Sequence, residues 1–167
     1  YSLPGRAADD MAVVAFYVDD FLVICKDPRQ RKRIIDAIAS KYELKHVGPA
    51  KEFLGMKVVQ DGRDASIRLS CPAKTRDIVE TYLPTDSATA AIPMPTRLKA
   101  SKTYCTEAGS PEADAIFAAG YRTVVGKLGH LATTLRFDIV YAHRFLCEGM
   151  HAPGKMHHSV LLHLLRY

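Results

Sequence analysis

The sequence predicts an α+β fold: two β-hairpins, each followed by a helix, then a long irregular segment and a helical bundle. Three observations carry this. Short runs rich in Val, Ile and aromatic residues fill the first part, apolar residues recur at helical spacing after Ala113, and Gly- or Pro-containing breaks separate the segments. With 167 residues, 48% hydrophobic and 25% charged, the composition is that of a globular chain, sized for one domain or two small lobes. No apolar run approaches the roughly 20 residues that cross a bilayer. No basic-then-apolar leader is visible. The chain opens on Tyr1 and stops at Tyr167 inside an apolar helical pattern, so it reads as a piece of something longer.

The first hairpin is the most informative element. Ala12 to Val18 and Phe21 to Ile24 read as buried strands, with Asp19-Asp20 in the two-residue connection. Tight hairpin turns favour Asn-Gly or Asp-Gly, and two adjacent carboxylates repel each other. A divalent cation removes that repulsion, and Mg²⁺ is commonly held by one or two carboxylates plus substrate phosphates. The chemical reading is a metal site for phosphoryl or nucleotidyl transfer. A solvated acidic turn is the bland alternative; Tyr17-Val18 and the flanking apolar strands favour the metal.

Asp27-Pro28 then supplies a helix start, an N-cap followed by proline at the first helical position. From Arg29 to Tyr42 an apolar stripe of Ile34, Ile35, Ile38 and Tyr42 marks one helix face. Lys26, Arg29, Arg31, Lys32 and Arg33 are expected on the other, where they suit a phosphate backbone or simply solvent. Gly48-Pro49 breaks the chain. Phe53 to Gln60 reads as a strand, Asp61-Gly62 as a turn, and Ala65 to Leu69 as the strand that pairs back. Ser70 with Pro72 opens a helix to Leu83, with Ile78, Val79 and Tyr82 facing inward.

Pro84 to about Pro111 is irregular, and a stretch this long is usually functional or a linker, so the lobe boundary is expected there. Ala113 to Thr134 reads as one helix carrying Tyr121, Val124, Val125, Leu128 and Leu131. Its Gly120, Gly126 and Gly129 weaken it but permit close packing. Asp138 to Met150 and Lys155 to Tyr167 follow as two amphipathic helices.

A net charge of +5 and a pI near 9.0 point weakly to a polyanionic partner. Cys25, Cys71, Cys105 and Cys147 form no Cys-x-x-Cys pair, which suits reduced thiols inside a cell. His143, Cys147 and His151 are spaced for one helical face, but a fourth zinc ligand is not evident and ordinary packing is the simpler reading. Cys105 has no base partner, and Glu107, Glu112 and Asp114 read as a solvated acidic stretch.

Taken together, these segments resemble one family. Tyr17-Val18-Asp19-Asp20 between apolar strands resembles the Y-x-D-D box of reverse transcriptases. Phe53-Leu54-Gly55-Met56, Ile67-Arg68-Leu69-Ser70 and Pro93-Met94-Pro95 resemble, in order, the F-L-G-I/M, I-x-L-S and T-P-M segments of copia-type retrotransposon polymerases. Tyr121 to Leu128 is similar to their Y-R-S-L-V-G-S-L helix and Arg136-Phe137-Asp138-Ile139 to R-P-D-I. Pro153, His157 and Leu164-Leu165-Arg166-Tyr167 are similar to the P…H…I-L-R-Y ending. The likeness runs from about Met11 to Tyr167.

The resemblance implies part of a right-hand polymerase that copies RNA into DNA. Residues 11–60 would be the C-terminal half of the palm, 61–92 a second strand and thumb helix, 93–112 a loop or linker, and 113–167 the helical thumb and connection. It implies Asp19 and Asp20 as ligands of Mg²⁺ (or Mn²⁺), with Asp20 the weaker or indirect one. Tyr17, Val18, Phe53, Leu54, Gly55 and Met56 would lie near primer and nucleotide. Lys26, Arg29, Arg31, Lys32 and Arg33 would lie near the nucleic-acid backbone. RNA template, DNA primer and dNTP are the implied partners of the full enzyme, with no membrane. The implied setting is the cytoplasm, in a virus-like particle, or the nucleus.

The family also places a metal-binding aspartate on an earlier palm strand. Only Asp9 and Asp10 precede the box here, immediately before the same strand, so they cannot supply a separate neighbouring strand, and fingers and RNase H are missing. The expectation is therefore a chain inactive by itself, with an exposed palm edge open to self-association. Phe137 stands where proline is expected, which suggests local repacking. The alternative is a non-enzymatic, domesticated chain that binds nucleic acid or protein and keeps Asp19 and Asp20 as relics.

Overall fold

A computed structural model describes residues 2–3, 11–45, 48–62 and 66–167. The fold mixes small antiparallel sheets with several helices, as the α+β expectation requires. The chain divides into two units, residues 1–70 and 71–167.

In the first unit, β1 (Ser2–Leu3), β2 (Ala12–Tyr17) and β3 (Asp20–Cys25) form one antiparallel sheet in that order. Helix α1 (Pro28–Ala39) packs against β3. Its start is as the sequence predicts: the Asp27 carboxylate accepts from Arg29 N–H at 2.9 Å and Gln30 N–H at 3.3 Å, and Pro28 needs no partner. It ends a turn before Tyr42, which is exposed. A second sheet contains β4 (Glu52–Phe53), β5 (Met56–Gln60) and β6 (Ile67–Ser70), again antiparallel. The single strand expected from Phe53 to Gln60 is thus a hairpin. Leu54 and Gly55 both have positive φ (53° and 74°), the signature of a type I′ turn, and Phe53 pairs with Met56. The strands expected to be buried are half-open, with Phe16 65% and Ile24 52% exposed.

The second unit contains α2 (Pro72–Tyr82), α3 (Pro111–Ala118), α4 (Tyr121–Thr134), α5 (Val140–Glu148) and α6 (Lys155–Arg166). Helix α4 touches α2, α3 and α5 and buries Tyr121, Val124, Val125, Leu128 and Leu131, spaced to fill one face. Burial raises the Tyr121 phenol well above its ordinary range, and its hydroxyl donates to Leu146 O at 2.9 Å.

The helix expected from Ala113 to Thr134 breaks at Gly120, whose φ of 85° ends α3 and whose missing Cβ leaves room for the Tyr82 ring. Gly129 admits the His143 ring in the same way, whereas Gly126 faces open space. A 3₁₀ turn, Phe137–Ile139, precedes α5, so the helix predicted from Asp138 begins later.

The 84–110 segment carries a second 3₁₀ turn, Ser101–Tyr104. Its bonds run to the helices: Ala90 N–H to Arg166 O at 3.0 Å, His163 Nε2 to Ile92 O at 2.9 Å, and Thr106 N–H to Ala152 O at 3.1 Å. The segment is a strap on the second unit. For that reason the boundary falls between Ser70 and Cys71 and not within it.

Candidate active site

Strands β2 and β3 pair continuously from Ala12↔Cys25 to Tyr17↔Asp20. The two-residue connection is therefore Val18-Asp19. Asp20, expected inside the turn, is the first residue of β3 and sits opposite Tyr17. The cause lies in the backbone: Val18 takes the positive φ (50°) of the first turn position, where Gly is usual. A β-branched residue in this region is strained, and such strain clusters at functional sites.

Strand alternation puts Tyr17, Ala15 and Val13 on one face with Asp20, Leu22 and Ile24. Phe16 and Phe21 stack on the other, with ring centroids 6.3 Å apart. Tyr17 is 62% and Val18 79% exposed, and both aspartates are exposed. The site is thus an open tip carrying two adjacent carboxylates. Their hard oxygen donors suit Mg²⁺ or Mn²⁺ completed by water and phosphate oxygens. Among the described residues no group of three or more His, Cys, Asp or Glu could hold a metal. Asp9 and Asp10 lie outside the described residues.

Phe53, Leu54, Gly55 and Met56 form the tip of the second hairpin, in a sheet separate from the first. The basic residues Lys26, Arg29, Arg31, Lys32 and Arg33 are all exposed. Helical spacing gathers Arg29, Lys32 and Arg33 on one side of α1. It puts Arg31 among Ile34, Ile35 and Ile38, away from the others. Lys32 also pairs with Asp36 at 2.7 Å.

The His143, Cys147, His151 face does not form, because α5 ends at Glu148. His143 Nε2 instead lies 3.1 Å from Val125 O, and burial pushes the Cys147 thiol up. Glu112, expected to be solvated, accepts from Lys155 N–H at 2.9 Å at the start of α6. Phe137 is 69% exposed and opens its 3₁₀ turn, beside Arg136, which forks the Asp138 carboxylate at 2.9–3.2 Å. No residue pattern around His157 signals its burial, because its partner Ser101 lies 56 residues away; its only trace is the place of His157 in the family ending.

The family of this hairpin is shown by comparison with known proteins. A family model described as reverse transcriptase (RNA-dependent DNA polymerase) matches residues 5–96, more than half of the chain. The chain belongs to that family, in its copia-type retrotransposon branch. It is 25% identical, over 95% of its length, to 12% of the retrovirus-related Pol polyprotein from transposon TNT 1-94 of Nicotiana tabacum. It is 32% identical, over 98% of its length, to 10% of the Pol polyprotein from transposon RE2 of Arabidopsis thaliana. An uncharacterized mitochondrial protein of Arabidopsis thaliana is 28% identical over 90% of the chain, which spans 58% of it. The chain therefore covers a small part of the polyproteins it matches. No solved structure matches it significantly. No helix among the described residues is long and apolar enough to cross a membrane.

Proposed function

We propose that the chain is the catalytic half-palm and thumb of an RNA-directed DNA polymerase, inactive until the rest of the palm and the fingers are supplied. Residues 11–60 would form the palm part, 61–92 a strand and thumb helix, 93–112 a connecting loop and 113–167 the thumb and connection. The observation that carries the reading is the Tyr17-Val18-Asp19-Asp20 sequence at the exposed tip of an unbroken hairpin. Asp19 and Asp20 would hold the divalent metals. When bound, those metals lower the pKa of the primer 3′-hydroxyl and offset charge on the triphosphate and departing pyrophosphate. Tyr17 and Val18, with the Phe53–Met56 tip, would border the primer end. Arg29, Lys32 and Arg33 would grip the backbone through salt-sensitive contacts.

Primer extension on an RNA template tests this. The 167-residue chain alone should give no product. Fused behind the upstream polymerase segment of the RE2 polyprotein, it should extend a primer with Mg²⁺ or Mn²⁺, and Asp19→Asn should abolish the product. Extension that survives Asp19→Asn sinks the assignment.

The exposed basic side chains Arg29, Lys32 and Arg33 on one side of α1 favour, as a second reading, a chain that only binds nucleic acid and keeps Asp19 and Asp20 as relics. In that case the fusion stays silent, while primer–template binding is salt-sensitive and indifferent to Asp19→Asn/Asp20→Asn.

A further inference from the structure

His157 is completely buried, yet every polar atom of its ring is engaged. Gly154 N–H points at Nδ1 from 3.1 Å, and a backbone amide can only donate. Nδ1 therefore carries the lone pair and Nε2 the proton. Nε2–H then donates to Ser101 Oγ at 3.0 Å, and the Ser101 hydroxyl donates to Phe145 O at 2.7 Å. This chain has one proton order and needs a neutral imidazole. It also joins three elements, because Ser101 belongs to the strap, Phe145 to α5 and His157 to α6.

The packing leaves little room for adjustment. The Phe145 ring lies 5.5 Å and the Tyr104 ring 6.5 Å from the imidazole, and a Cβ on Gly149 would collide with it. A proton added at Nδ1 would face the Gly154 N–H, donor against donor, in a site closed to water. The surrounding titratable groups do not compensate. His151, on the α5–α6 connection, adds repulsion. The Tyr104 hydroxyl on the strap is taken up by Lys99 N–H at 2.9 Å, and the Glu112 carboxylate on α3 by Lys155 N–H, with Lys155 Nζ 4.0 Å away. Only the Ser101 and Tyr104 carbonyls favour the charged ring, and burial outweighs them, holding His157 below the usual imidazole range.

We propose that Ser101, Gly154 and His157 form an acid-sensitive latch, in which a proton on His157 loosens the Ser101–Tyr104 turn of the strap from α5 and α6. The sign follows from linkage. The latch contributes fully above the unfolded histidine value of about 6.5, and its contribution is lost as pH falls below it. The proposal is independent of the polymerase reading.

Amide hydrogen exchange on the full chain tests it, with intrinsic rates corrected between pH 7.5 and pH 5. Protection at residues 99–106 should fall several-fold on going to pH 5, while α4 changes little. His157→Gln should remove that pH dependence. Equal protection at both pH values, or the same loss in His157→Gln, overturns the latch. If the variant does not fold, nitrogen NMR of the unaltered chain decides. Unprotonated Nδ1 at pH 7.5 and a midpoint below 6.5 support the latch, and a protonated Nδ1 or a higher midpoint ends it.

Discussion

Every helix of the second unit contributes at least one side chain closed off from solvent, from Ile78 on α2 to Leu165 on α6. In the first unit Ala12 is the only apolar residue so enclosed among the described residues, while Phe16, Ile24, Ile67 and Leu69 stand in the open. The two units thus divide labour. One closes a core of its own, and the other exposes two adjacent carboxylates and the basic side chains of α1. Sheets with so much exposed apolar surface call for covering chain or ligand, as large apolar patches generally do. The half-palm reading supplies such a cover; the second unit closes its own core.

The largest expected effect separates the units by stability. Leu146→Ala should cost about 2–5 kcal/mol in urea unfolding, because Leu146 is fully buried. Ile24→Ala should stay within about 0.5 kcal/mol. Equal costs would mean the first unit has a core of its own. Next comes Gly149→Ala, which forces a Cβ against the buried His157 ring and should cost about 1–3 kcal/mol by the same measurement.

A binding test sharpens the other half of the contrast. Arg29→Gln/Arg33→Gln should lower the salt slope of duplex binding by about two, whereas Arg31→Gln, set among isoleucines, should change it less. Smallest is Asp138→Asn. The Arg136 guanidinium holds the Asp138 carboxyl below its ordinary range, so its contribution exists above about pH 4 and is lost on acidification below it. With both partners partly solvated, the change should stay within about 1 kcal/mol at pH 7, read from thermal melts.

Much of this was legible in the residues. Asp27-Pro28 announced α1, and the spacing of Tyr121, Val124, Val125, Leu128 and Leu131 announced the buried face of α4. The hairpin was legible too, but not its register. Two adjacent aspartates look like a turn, and nothing local shows that Val18 will take the strained position. At Leu54-Gly55 the glycine was the available signal for a turn, obscured by the apolar residues around it. The strap and the His157 chain could not be read at all. They depend on partners 44 and 56 residues apart, which no periodicity encodes.

The unbroken register of β2 and β3 leaves the site no slack for a codon gained or lost. Side chains alternate with a period of two, so one extra residue between Asp20 and Leu22 would turn Asp20 toward the side of Phe16 and Phe21. Point substitutions elsewhere in the hairpin leave that geometry in place. Among copies of such an element, an in-frame insertion of three nucleotides at this tip should therefore be a surer mark of a silenced copy than many scattered replacements.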